Sequence, residues 1–332
     1  MMRRLGKAGP SVHAIGLGAM GMSGMYGAAD RAESIATIHA ALDAGVDLID
    51  TGDFYGSGHN ELLIREALAG RDRSRVIISV KFGALRDPAG GWTGYDARPA
   101  AVKNFLAHSL QRLGTEYIDI YRPARLDPNV PIEETVGAIA EMVQAGYVRY
   151  IGLSEVSAET VRKAQAVHPI CDLQIEYSLI SRDVERSTLP ALREMGVGIT
   201  AYGVLSRGLI SGHWTKSREV TRDFRAGAPR FQGENLDRNL DLVEKLRAIA
   251  TRKGISVAQL AIAWVLSRGE DIVPLAGART REQFAESLAA LNVRLDATDL
   301  AEIEQAVPPG AAAGDRYNAA GMSTLDSQKD VR

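Results

Sequence analysis

The stretch VDLIDTGDFYGSGHNE, Val46 to Glu61, opens with the apolar residues Val46, Leu48 and Ile49, then breaks into Asp50, Thr51, Asp53 and Tyr55 among glycines. The apolar run reads as a buried strand, and the polar break marks its end. Similar β-rich runs recur at Val12 to Leu17, Val76 to Val80, Tyr117 to Tyr121, Val148 to Leu153, Asp172 to Ile175, Gly198 to Ala201 and Ile272 to Leu275. Between them apolar residues fall at helical spacing, as in Ile35, Ile38, Ala41 and Leu42, in Val102, Phe105, Leu106 and Leu110, and in Val136, Ile139, Ala140 and Val143. Strands joined through helices run parallel. Eight such units without a break favour a closed (β/α)8 TIM barrel, one domain over residues 1–332, above an open doubly wound sheet.

Composition narrows the function. Lys plus Arg (39) nearly balance Asp plus Glu (41) in 332 residues, and neither sign gathers in a block. That argues against nucleic acid or an anionic membrane as the main partner and for a small-molecule ligand. Cys171 is the single cysteine, so no intramolecular disulfide forms and a cytoplasmic setting is expected. Its plain reading is a small buried hydrophobe beside a strand. The N-terminal MMRRLGKAGPSVHAIGLGAMGM has two arginines before an apolar stretch, but Gly16, Gly18, Gly21 and His13 interrupt it, so no secretory leader is expected. No run of about 18 uncharged apolar residues predicts a membrane span. The histidines show no close pair at metal-ligand spacing, so no metal site is expected, and neither a G-x-S-x-G elbow nor a P-loop occurs.

Two connections exceed ordinary barrel loops: residues 83–97, GALRDPAGGWTGYDA, and residues 203–234, rich in Gly, Arg and aromatics. Both are candidates to cover a ligand. Trp92 and Tyr95 in the first, and Trp214, Phe224 and Phe231 in the second, either line a substrate pocket or anchor their loops. The tail from Pro308, PPGAAAGDRYNAAGMSTLDSQKDVR, has loop composition, and both a fold over the barrel mouth and disorder fit it.

An active site in this architecture lies at the C-terminal ends of the strands. The second strand ends at Asp50 with Tyr55 shortly after, and the third, VIISVKFG, ends at Lys81. A lysine following an apolar run needs a carboxylate from the neighbouring strand, and Asp50 is that neighbour. A phenol with a pKa near ~10 is a poor acid at neutral pH, and an adjacent ammonium lowers that value. Tyr55 is then able to donate a proton to a carbonyl oxygen as hydride reaches carbon. The competing reading is a surface ion pair beside a buried tyrosine.

These residues resemble the aldo-keto reductases. DTGDFYGSGHNE is similar to the family's strand-to-loop signature and SVKFG to its lysine strand; LGTEYIDIY, DPNVPIEET, GYVRYIGLSE, QIEYSLI, YGVLSRGLISG and VPLAGARTREQFAES extend the likeness over nearly the whole chain. The resemblance implies an enzyme that binds NADPH without a Rossmann fold and reduces aldehydes or ketones, with Asp50, Tyr55 and Lys81 as three members of a catalytic tetrad. The fourth member departs. Where relatives show His-Arg-x-Asp-Pro, this chain has RPARLDP, with Ala124 in the histidine slot, then Arg125 and Asp127. Three readings stand open: room for a bulkier ketone or a water; replacement by His59, Arg122 or Arg125; or drift toward slow cofactor binding.

The resemblance further implies that Ser154, Glu155 and Gln174 hold the nicotinamide carboxamide, which needs both a donor and an acceptor. Glu155 is the weaker assignment, because a carboxylate accepts but does not donate. Tyr202 matches the aromatic that stacks on the nicotinamide. Leu205, Arg207 and Gly208 fall where the pyrophosphate is held. Gly277, Arg279 and Thr280 precede a helix whose N-terminus suits the adenosine 2′-phosphate, with Arg281 assisting and Gln283, Glu286 and Ser287 on the adenine side. An arginine there favours NADPH over NADH. Ala124, Arg125, Trp92 and Trp214 are the candidate substrate pocket. The expected activity is NADPH-dependent carbonyl reduction; the alternatives are a nicotinamide-binding sensor with slow chemistry, or reduction of an activated carbon–carbon double bond.

Overall fold

A computed structural model describes residues 1–215 and 224–330. Eight parallel strands close into a barrel in chain order: β1 (Gly16–Gly18), β2 (Leu48–Gly52), β3 (Ile77–Phe82), β4 (Ile118–Pro123), β5 (Val148–Ser154), β6 (Ile170–Glu176), β7 (Gly198–Tyr202) and β8 (Ile272–Gly277), with β8 pairing back onto β1. The helices α1 (Arg31–Asp43), α2 (His59–Ala67), α3 (Pro99–Leu113), α4 (Ile132–Gln144), α5 (Ala158–Val167) and α6 (Thr188–Met195) each separate two strands. Two helices, α7 (Gly233–Arg252) and α8 (Val257–Ser267), lie between β7 and β8; α9 (Arg281–Leu288), α10 (Ala297–Ala306) and the short α11 (Ala319–Ser323) follow β8. Among the described residues no single helix is long and apolar enough to cross a membrane.

Local signals set the boundaries. Pro99 opens α3, where its missing N–H costs nothing, and Gly114 closes it in the left-handed conformation. Ser157 caps α5 through its side chain, and Ser256 with Gln259 forms a capping box on α8. The main core packs the outer faces of the strands against the helices, and a second cluster of Leu5, Val12, Leu48, Ile120, Cys171, Val273 and Leu275 fills the N-terminal end of the barrel interior. Cys171 is buried there, its thiol 3.0 Å from Asp172 Oδ1.

Two expectations about elements change. The run Val12 to Leu17 is not one strand: Ser11–His13 pairs antiparallel with Met2–Arg4, and β1 begins afresh at Gly16. Arg3 ties this hairpin to the barrel by donating to the carbonyls of Leu266 (2.7 Å) and Gly269 (2.8 Å). Residues 83–97 are not irregular either, since Ala84–Arg86 pairs antiparallel with Trp92–Tyr95. Turn-rich sequence disguised a hairpin whose strands are too short to show alternation.

Above the apolar cluster the interior becomes polar. Arg122 Nη1 donates to Asp172 Oδ2 (2.9 Å) and Nη2 to Ser79 Oγ (3.1 Å), while Thr200 donates to Asp172. Gly152 makes room for this pair. A Cβ at that position would lie 2.7 Å from Asp172 Oδ1 and 2.9 Å from Arg122 Cζ. Gly152→Ala is therefore expected to destabilise the fold by about 1–3 kcal/mol, read as a lower midpoint in urea unfolding; an unchanged midpoint would show that the buried pair yields freely.

Candidate active site

Parallel register carries Asp50 and Lys81 to one level. Asp50 pairs with Ser79 and Gly52 with Lys81, so the two side chains converge at the C-terminal end of the barrel. Lys81 Nζ donates to Asp50 Oδ1 at 2.5 Å and to the Thr51 carbonyl at 3.0 Å. The other carboxylate oxygen accepts from Ser79 Oγ (3.0 Å) and from Gln174 Nε2 (2.7 Å). Tyr55, buried in the loop after β2, sets its ring 5.1 Å from Lys81 Nζ, and Phe54 packs edge-on against it. The sequence thus brings three of its candidates into one cluster.

The electrostatics correct one expectation. Burial pushes the Tyr55 phenol well above its ordinary value, Asp50, Tyr26 and Tyr317 add to the rise, and Arg125 opposes it. The net shift is upward because burial and the Asp50 charge outweigh the neighbouring cations. Burial in turn lowers the Lys81 pKa, against the opposing pull of Asp50. The free site accordingly holds Tyr55 as a protonated phenol at neutral pH.

The tail does not dangle. It folds over the mouth, and Arg316 grips Glu155 with two parallel bonds of 2.9 and 3.1 Å. Ser327 Oγ adds a third to Glu155 (2.6 Å), and Tyr202 a fourth (2.7 Å). Glu176, at the end of β6, lies 3.1 Å from Arg207, 3.4 Å from Arg316 and 3.5 Å from Arg230. Burial pushes both carboxyls up, and the arginines more than reverse it, so both titrate below the ordinary carboxylate range. Tyr317 sits next to Tyr202, hydroxyl to hydroxyl at 3.1 Å, under the guanidinium of Arg207 at 4.3 Å from its ring centre. Neither Arg316 nor Tyr317 stood out in the sequence; the signal there was two charged residues and an aromatic, DRY, inside a tail rich in Gly and Ala.

The residues assigned to the nicotinamide are therefore largely engaged by the protein itself. Gln174 supports Asp50, and Glu155 holds the tail in addition to the Glu176 N–H (3.0 Å). Ser154 differs. Its Oγ is buried at the end of β5 with no hydrogen-bond partner among the described residues. The backbone also shows where the mouth is strained: among the described residues, the non-glycine residues with left-handed φ are Ser57, Glu155, Ser206 and Arg207, all just beyond β2, β5 and β7.

After β7 the chain turns through Ser206–Ser211, where the carbonyl of Leu205 accepts from the N–H of Gly208 (2.9 Å) and Arg207 donates to the carbonyl of Arg316. After β8, nothing lies within 4 Å of where a Gly277 Cβ would stand, so a ligand can approach that backbone closely. Arg279 donates to the carbonyls of Tyr26 (3.3 Å) and Ala28 (3.1 Å), and Thr280 caps α9. Gln283 Oε1 accepts from the Arg279 N–H (3.0 Å), Ser287 bonds back to the Gln283 carbonyl, and Glu286 meets His213 at 3.4 Å. Arg281 is paired with Glu33 (2.9 Å) instead of standing free at the helix start.

The loop aromatics separate. Trp92 is 51% exposed on the hairpin, stacked on Arg86 and edge-on to Phe54. Trp214 is buried against Phe231, which makes it an anchor of its loop. The middle of residues 203–234, at 216–223, and the side chain of Phe224 lie outside the described residues. Of the groups considered for the histidine role, Arg122 is locked inside the barrel on Asp172, and exposed His59 is bonded to Ser23 (2.9 Å) and Arg31 (3.3 Å). Arg125 alone reaches the mouth, donating to Tyr317 Oη at 3.4 Å.

Comparison with known proteins agrees with this geometry. Residues 14–308 match the profile of the Aldo/keto reductase family. "Probable aldo-keto reductase 1" of Glycine max is 41% identical over 317 residues, 95% of this chain and 91% of that protein. The glycerol dehydrogenase AKR11B4 of Gluconobacter oxydans superposes with a TM-score of 0.84 at 28% identity, over 92% of this chain and 94% of that one. The aldo-keto reductase AKR11C1 of Bacillus halodurans, in its holo form, does so with 0.77 at 27%, over 95% and 98%. Likeness in sequence along almost the whole length, joined to a barrel whose mouth gathers an acid, a lysine and a tyrosine, settles the matter: this chain belongs to the aldo/keto reductase family and is an NAD(P)H-dependent oxidoreductase that acts on carbonyl compounds.

Proposed function

We propose that the protein reduces an aldehyde or ketone to the alcohol with NADPH, and that Tyr55 delivers the proton. The observation that carries this reading is the buried Asp50–Lys81 pair at 2.5 Å beside the Tyr55 ring. When bound, the nicotinamide supplies the hydride. Tyr55 stands protonated and desolvated at the mouth, so its proton is available to a developing alkoxide and unavailable to bulk water. Lys81 places a positive charge near the phenolate that remains, and Asp50, fixed by Ser79 and Gln174, keeps that ammonium in place. Ser154 is the residue best fitted to hold the carboxamide, and Tyr202, at the end of β7, is the candidate to stack on the ring.

Gly277 and the start of α9 are the proposed seat of the adenosine phosphate. Arg279 reaches it by exchanging its two carbonyl partners for a dianion, a stronger hydrogen-bond acceptor. Arg279→Ala is expected to raise the KM for NADPH by at least about tenfold and to leave that for NADH within about twofold. Equal effects on both cofactors would reject a 2′-phosphate role. The activity itself is tested by following NADPH oxidation over a panel from small aldehydes through diketones to bulky cyclic ketones, with NADH as control. Tight NADPH binding without turnover of any member would overturn the reductase reading.

A further inference from the structure

We propose that Arg125, held from the tail by Tyr317, is the substrate anchor of this site, and that it selects carbonyl compounds bearing a carboxylate beside the reacting carbon. The inference rests on the reductase reading and names its substrate class. Three observations carry it. First, Arg207, Arg230 and Arg316 at the mouth each have a carboxylate within 3.5 Å, whereas Arg125 has none within ion-pair distance among the described residues. Despite burial, the tyrosine hydroxyls of Tyr202 and Tyr317 and the carboxylate of Glu155 favour its charge from a distance, so an anion bound here would be the first carboxylate to pair with it directly.

Second, its bonds leave a donor over. Nη1 donates to the carbonyl of Ala124 (2.7 Å) and Nη2 to Tyr317 Oη (3.4 Å), while Nε is buried with no partner among the described residues. Third, its position is right for the reacting carbon. Arg125 follows the buried Ala124 just past the end of β4, the strand that pairs with the Lys81 strand, and is among the charges that act on the Tyr55 phenol. Strand β4 also lies across the barrel from β8, so this cation is not the one that a phosphate at α9 would meet.

Tyr317 is a positioning residue. Tyr202 uses its proton on Glu155, so of the two hydroxyls Tyr317 donates to Tyr202 and accepts from Arg125. A chain of bonds thus runs from Arg125 through Tyr317 and Tyr202 to Glu155, which Arg316 also grips. Arg207 and Arg125 bring the Tyr317 pKa below its ordinary value despite burial, which strengthens its hydroxyl as the donor to Tyr202. The tail thereby aims the one guanidinium beside the alanine that replaces the family's histidine.

The test compares phenylglyoxylate with its methyl ester. The ratio of their kcat/KM values is measured in the wild-type protein and in Arg125→Gln, Arg125→Lys and Tyr317→Phe, so that the intrinsic reactivity of the ester cancels. Arg125→Gln is expected to lower the acid-to-ester ratio at least about thirtyfold, with Arg125→Lys intermediate because it keeps the charge and loses the fork. Tyr317→Phe is expected to raise the KM for the acid more than it lowers kcat. In the wild-type protein benzoate should inhibit at least about tenfold more tightly than benzamide, a comparison that requires no variant to fold. A ratio that stays constant in Arg125→Gln, or equal inhibition by benzoate and benzamide, overturns the proposal while leaving the reductase reading in place. If neither phenylglyoxylate nor its ester is reduced, calorimetric titration with phenylglyoxylate decides: binding abolished by Arg125→Gln supports the anchor, and no binding to the wild-type protein rejects it.

Discussion

Tyr55→Phe is expected to lower kcat for carbonyl reduction by about 10³-fold and to leave NADPH affinity within about twofold of wild type. The hydroxyl is the only atom removed, and the ring keeps its contact with Phe54 and its place over Lys81. Stopped-flow turnover and fluorescence titration separate the two quantities. The pH dependence gives a second check. Burial and Asp50 hold the phenol well above its ordinary value, so the acid form persists across the neutral range and turnover of the wild-type protein should show no loss from this group between pH 6 and about pH 9. A fall in rate near neutral pH that disappears in Tyr55→Phe would mean that bound cofactor lowers the phenol far more than the free site does. Retention of full activity by Tyr55→Phe would remove Tyr55 from the chemistry altogether.

Arg316→Ala is expected to cost about 3–5 kcal/mol of stability at pH 7, because it leaves buried Glu155 with no cation in contact and strips one of three from Glu176. The sign of its pH dependence follows from linkage. In the wild-type protein the arginines more than offset burial, so both carboxyls titrate below their unfolded values; the stability they contribute is present above about pH 4.3 and is lost as pH falls through the folded values. Without Arg316, only the more distant Arg125 and the hydrogen bonds to Glu155 oppose burial, and its pKa rises. The variant then becomes less unstable as the carboxyl protonates, so the gap between the two proteins should narrow below about pH 5. Urea unfolding at pH 7 and pH 4.5 measures it. A gap that is the same at both values would show that Arg316 contributes packing and not charge.

Legibility followed sequence distance. Asp50, Tyr55 and Lys81 could be placed because each stands at or just after the end of a readable strand, and parallel pairing of neighbouring strands leaves little choice about where those ends meet. Cys171 was equally plain, a lone small residue in the buried strand β6. The hairpin over residues 84–95 was hidden because its strands of three and four residues cannot display a period. Arg316 was hidden for another reason. Its partner Glu155 is 161 residues away, and the tail that carries it has neither periodicity nor a long apolar run. Glu155, Gln174 and Arg207 were recognised as mouth residues from their strand ends, but their bonding partners were not.

The sequence alone determined the barrel, its strand order and the meeting of an acid, a lysine and a tyrosine at one end, since these depend on local periodicity and on a closure rule shared by all such units. Tertiary structure decided what surrounds that meeting. It turned Gln174 onto Asp50, raised the Tyr55 pKa where a neighbouring lysine suggested a fall, and drew the tail over the mouth to answer two buried carboxylates. Desolvation and ion pairing are sums over every group within reach, and no strand or helix period records which distant segment will supply them.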